Sequence, residues 1–216
     1  MIIDVLVPER PDVVETDEPA LAWIRAVLQH VPPAIAARML QSVPAETVDA
    51  IALGDPAILA GLLRSVSSAE AAQWVAQWRP EARLAVCEAT DPAVCAHMLE
   101  LLPETEAAST VAGLSPTRAI DVLGCTSRET AAGWLLEIEH QLVAHLLQLV
   151  EIEDAARYLI HMKLLGLANY ALVVKHMPDD VGRRCLLVID RHHVERGYAA
   201  DLIQQVDANK DARGPR

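Results

Sequence analysis

A proline that returns every twelve residues constrains this chain more than any other feature. Pro32, Pro44, Pro56, Pro80, Pro92 and Pro116 fall on one lattice, Ser68 takes the point between Pro56 and Pro80, and Pro103 misses its point by one residue. Proline is favoured at the first helical position, where its missing N–H costs nothing. Asp55, Ser67, Asp91, Ser115 and Ser127 stand just before such points and are good N-cap residues. Ser67…Glu70 and Thr126…Glu129 have the spacing of a capping box. A long helix does not survive a proline every three turns. The lattice therefore predicts a run of short helices, each of about nine residues, joined by turns of about three.

The interior of each unit agrees with its start. In a frame beginning at Ala20, the fifth position runs Ile24, Ala36, Val48, Ala60, Ala72, Leu84 and onward to Ala168. The eighth runs Val27, Met39, Ile51, Leu63, Val75, Cys87 and onward to Ala171. Every one is apolar, an agreement whose chance probability is on the order of 10⁻⁸ for a chain of this composition. The fourth position is mainly apolar as well, with Thr47 and Arg83 as exceptions. Positions four, five and eight form one stripe on a helix. Helices this short are marginal alone and need neighbours. The expected fold is all-α: a superhelical solenoid of short helices with a twelve-residue repeat.

Composition narrows the reading further. Hydrophobic residues make up 52% of the 216, but aromatics only 3%, with no Phe, so the core must be built from Ala, Val, Leu and Ile. The formal charge of −12 argues against a nucleic-acid partner, which needs a basic surface. No apolar run is long enough to span a bilayer, and the start lacks the shape of a signal peptide. Cys87, Cys95, Cys125 and Cys185 show no paired metal spacing and read as reduced, mostly buried thiols, which points to the cytoplasm. Residues 1–19 read as a flexible acidic arm and 20–206 as the helical array. The array's last two helices, about Asp180–Arg191 and Val194–Val206, read as caps, and 207–216 as a disordered tail.

No catalytic motif is present: there is no phosphate-binding glycine loop, no HExxH and no GxSxG. Cys95 and His97 are too close for a zinc pair, and His192 with Glu195 is a spacing common by chance. Glu139, Glu151, Glu153 and Asp154 fall at successive turns and are the residues to consider for Mg²⁺, which prefers carboxylate oxygen and water. Acids at helix starts also offset the macrodipole without any metal. Trp74 and Trp78 are four residues apart, and Trp134 repeats the column of Trp74. One indole fills a layer built on Ala; the second is free to anchor a partner, with Arg79 beside it to meet a carboxylate.

The unit Asp55-Pro56-Ala57-Ile58-Leu59-Ala60-Gly61-Leu62-Leu63, repeated as Asp91-Pro92-Ala93-Val94-Cys95-Ala96-His97-Met98-Leu99, resembles the repeat of the cytosolic N-terminal domain of MgtE-type magnesium transporters. The flagellar motor switch protein FliG has a similar short-helix pattern in part. The resemblance covers about Ala20–Lys175. It implies a right-handed superhelix of short helices and, for the transporter family, a part in magnesium-dependent gating. The expected function is a non-catalytic protein-interaction or regulatory module without a cofactor, whose partner is a protein carrying a basic patch. The alternative is a divalent-cation-sensing regulatory domain binding Mg²⁺. A third class is a helical-repeat enzyme with a dispersed site.

Overall fold

The computed structural model describes residues 18–165 and 169–192, and among them there are fourteen helices and no strand. They are α1 (Glu18–His30), α2 (Pro33–Leu40), α3 (Ala45–Gly54), α4 (Pro56–Leu63), α5 (Ser68–Gln77), α6 (Pro80–Ala89) and α7 (Pro92–Leu99). Then follow α8 (Glu104–Gly113), α9 (Pro116–Gly124), α10 (Arg128–Glu137), α11 (His140–Leu147), α12 (Ile152–Leu165), α13 (Asn169–His176) and α14 (Asp179–His192). Glu18 and Pro19 thus open α1 rather than end an arm. The rest of that arm, the helix expected over Val194–Val206, Glu195 and the tail lie outside the described residues. None of the described helices is long and apolar enough to cross a membrane.

The helix starts follow from the cap chemistry. Pro56, Pro80, Pro92 and Pro116 each stand at the first helical position. Ser67 and Glu70 form a reciprocal capping box, in which the Ser67 hydroxyl accepts from the Glu70 N–H and the Glu70 carboxylate accepts from the Ser67 N–H. Asp91 accepts from the Ala93 N–H. Thr126…Glu129 is not a capping box. Ser127 is the N-cap there and accepts from the Thr130 N–H, while the Thr126 hydroxyl donates to Glu100. Pro103 is the N-cap of α8 rather than its first residue, so α8 starts at Glu104, where the lattice places it.

From α4 onward each helix packs on the helix two further along, although α6 has its main contacts with α3 and α4. One row runs α4, α6, α8, α10, α12, α14; the other runs α5, α7, α9, α11, α13. Burial follows the apolar stripe. Leu59, Ala60 and Leu63 in α4, Cys95, Ala96 and Leu99 in α7, and Val143, Ala144 and Leu147 in α11 are all sealed from water. Each fully buried Leu contributes roughly 1.5–3 kcal/mol. The Ala positions let helix axes approach, and the larger residues at position eight fill the space between layers.

The first helices do not keep this register. Pro32 and Pro44 are N-caps, so α2 and α3 begin one residue after their lattice points. The next start, Pro56, is back on the lattice, which leaves a step of eleven from Ala45. Counted from the true starts, Ala36, Ala37 and Leu40 are buried in α2, and Met39, at the expected eighth position, is exposed. In α3 the shift brings Asp49 into the core beside Val48 and Ala52. This helix packs chiefly on α6 and α4 and turns away from α5.

A second device joins the rows. Carboxylates reach across to helix starts three helices further on. Asp49 of α3 accepts from the backbone N–H of Arg79, the N-cap of α6, at 3.1 Å. Glu88 of α6 accepts from both the N–H and the hydroxyl of Ser115, the N-cap of α9. The start of a helix has orphan N–H groups and a partial positive charge, so an acid from a neighbour satisfies both.

Candidate functional site

Where α3 leaves α5, a cleft of about 280 Å³ opens between α2–α3 and α5. Leu40, Val43 and Val48 form its floor on one side. Trp74 and Trp78 stand on the other, and the amides of Gln41, Gln73 and Gln77 complete the wall. The described lining carries no charged side chain. The cleft is therefore an apolar slot edged by groups that both donate and accept hydrogen bonds.

The two indoles have different roles. Trp78 is not on the helix with Trp74: α5 ends at Gln77, and Trp78 follows in extended backbone, φ −80° and ψ 152°. Pro80 is the signal for this, because it holds Arg79, the residue directly before it, in extended geometry and so requires the helix to end upstream. Trp78 is 6% exposed and belongs to the core, as does Trp134 at 2%. Trp74 is half-buried and packs against the core from the cleft side. The pair expected to project from one side of a helix is thus divided between packing and surface.

Arg79 already has an intramolecular partner. Its Nε lies 3.5 Å from Asp49 Oδ2, although the side chain is 69% exposed. Asp49 receives both this guanidinium and the Arg79 N–H, which is how a buried carboxylate is tolerated here. Sequence reading did not find Asp49, since the lattice frame places it off the apolar stripe. The only available signal was Pro44, whose place one residue before the helix turns Asp49 inward.

The four acids considered for Mg²⁺ are not brought together. Glu139 is the N-cap of α11; Glu151 and Glu153 are exposed at the start of α12. Asp154 is taken by two arginines, Arg128 at 2.7 Å and Arg157 at 3.4 Å. Among the described residues no group of three or more His, Cys, Asp or Glu side chains could hold a metal ion. His97 pairs with Glu100 at 3.4 Å.

All four cysteines are free; Cys87, Cys95 and Cys185 are buried and Cys125 is exposed. A hydrogen bond with Cys95, together with burial, holds the Cys87 thiol well above the usual range. Burial pushes Cys185 up to about 11. Neither is a nucleophile near neutral pH. Tyr158 donates to the Leu123 carbonyl at 3.1 Å, and the Arg128 guanidinium sits 4.5 Å from its ring centre. Burial raises its phenol as well.

Compared with protein families, curated proteins and solved structures, the chain matches none.

Proposed function

We propose that this chain is a superhelical solenoid of twelve-residue units that serves as a non-catalytic interaction module, with the cleft beside Trp74 as the seat for a protein partner. The observation that carries the reading is that cleft: an apolar slot with a half-buried indole on its edge, where α3 and α5, unlike the other described helices two apart, make little contact. Indoles that combine apolar area with a polar N–H are enriched where partners anchor. Helix starts at Ser68, Pro80, Pro92, Glu104, Pro116, Arg128, His140 and Ile152, each twelve residues after the last, support the repeat. The short-helix resemblance to MgtE-type N-terminal domains supports the same architecture. Four unpaired cysteines support a reducing compartment such as the cytoplasm.

Two indole substitutions test the reading. Trp78→Ala removes a core side chain and is expected to cost about 3 kcal/mol or more of fold stability. Trp74→Ala is expected to cost about 1 kcal/mol, because part of that ring is already in water. A protein captured by the native chain should be lost by folded Trp74→Ala. If Trp74→Ala melts normally and keeps the captured protein, the cleft is not the seat.

A further inference from the structure

A second cavity, of about 520 Å³, opens between α6 and α8, away from the partner cleft. Its wall holds Arg83, one of the two exceptions in the fourth column. This side chain stands where other units place Leu59, Ala71, Cys95 or Ala107. Arg83 is 8% exposed, and its Nη1 donates to Glu106 Oε2 at 2.8 Å. Its Nε has no acceptor. Glu106 thus occupies one terminal nitrogen, Nε is sealed from water, and Nη2 is the nitrogen left for a further charge-assisted contact.

Other polar groups on the same wall are also without partners. The Glu81 carboxylate and the hydroxyls of Thr105 and Ser109 enter no hydrogen bond or ion pair among the described residues. Gly113 keeps the space open, since a Cβ there would lie 3.1 Å from Leu84 Cδ1. Leu84 itself is turned out of the core into the cavity wall, because α6 buries Ala82, Arg83, Val86 and Cys87 instead.

The charges decide what fits. One guanidinium and two carboxylates leave the site with a surplus negative charge, so a simple anion is repelled while a group bearing both signs is not. We propose that this cavity binds a free α-amino acid. Its carboxylate meets Nη2 of Arg83, its ammonium meets Glu81, and the hydroxyls of Thr105 and Ser109 serve the remaining carboxylate lone pairs. The apolar wall of Ala76, Pro80 and Leu84 receives the side chain. A ligand this small, held by two charge-assisted contacts, binds at about millimolar Kd. The inference does not depend on the partner cleft.

The test is thermal melting of the full chain with each of the twenty standard amino acids at about 10 mM, followed by calorimetry on the best. At least one is expected to raise the melting temperature by about 3 °C. Its α-amide, lacking the carboxylate, and its N-acetyl derivative, lacking the ammonium, are each expected to bind at least about tenfold more weakly. Glu81→Gln alters an exposed carboxylate with no partner, so it should leave the unliganded melt unchanged and weaken binding about tenfold. Arg83→Met combined with Glu106→Leu removes the ion pair as a unit, leaving neither charge without its partner, and should abolish binding. If that pair of substitutions unfolds the chain, Glu81→Gln and the two derivatives still decide. The proposal is overturned if no amino acid shifts the melt, if either derivative binds as well as its parent, or if Glu81→Gln binds undiminished.

Discussion

Helices α7–α12 and helices α2–α6 are made of the same unit, yet they bury different positions. In the first group the starts fall every twelve residues, each helix packs on the one two along, and the buried side chains are apolar apart from Thr110, whose hydroxyl donates to the Glu106 carbonyl within its own helix. In the second a single step of eleven turns the stripe by one residue. Asp49 is drawn in, Met39 is turned out, α3 settles on α6, and a cleft is left against α5. Arg83 enters the core of α6 in the same region. A one-residue slip in the helix starts is thus enough to leave a packing seam open as a cleft.

The largest effect that would sharpen the comparison is a matched pair of core truncations. Leu99→Ala, in the regular array, should cost about 3–5 kcal/mol, because a fully enclosed site cannot collapse. Leu40→Ala should cost about 2 kcal/mol, because that side chain already borders the cleft and water can follow it. Urea midpoints measure both. Equal costs would mean that the cleft is closed in solution.

A smaller contrast concerns the acids that cap helices three along. Asp49→Ala should cost about 2 kcal/mol, since it strands a part-buried helix-start N–H. Glu88→Ala, the same device on the surface, should cost about 1 kcal/mol or less, since water replaces the carboxylate. If Glu88→Ala proves the costlier, burial is not what gives Asp49 its weight.

The parts of this fold legible in the sequence are those that a single residue's covalent structure decides. Pro56, Pro80, Pro92 and Pro116 mark first helical positions because a ring that fixes φ and lacks an N–H belongs there. Pro32, Pro44 and Pro103 were not separable from them, because the N-cap does not need its N–H for the helix either. That ambiguity of one residue hid the slip, and with it Asp49 and the cleft. Trp74 and Trp78 were legible as a pair of interest, but their division was not, since it depends on where α5 stops. Arg83 was visible as an exception; its partner Glu106 lies on another helix, and only packing brings the two within 2.8 Å.

The smallest expected effect is alkaline. The folded Cys185 thiol is raised to about 11, above its unfolded value, so the folded state holds that proton longer. The stability this contributes is complete below about pH 8.5, the ordinary range of a thiol, and is lost as pH rises toward 11. Cys87 acts in the same direction. Melting followed from pH 8 upward should show a decline that Cys185→Ala makes shallower, in the C-terminal helices and not at the break. An unchanged slope would mean that Cys185 is open to water.

The side-chain hydrogen bonds between helices span only 23 to 35 residues, from Arg83–Glu106 to Tyr158–Leu123, and the principal helix pairs are at most three apart in order. No bond of this kind ties one end of the described chain to the other. Tension applied at the ends therefore passes through one small interface after another, and their compliances add in series as in a chain of springs.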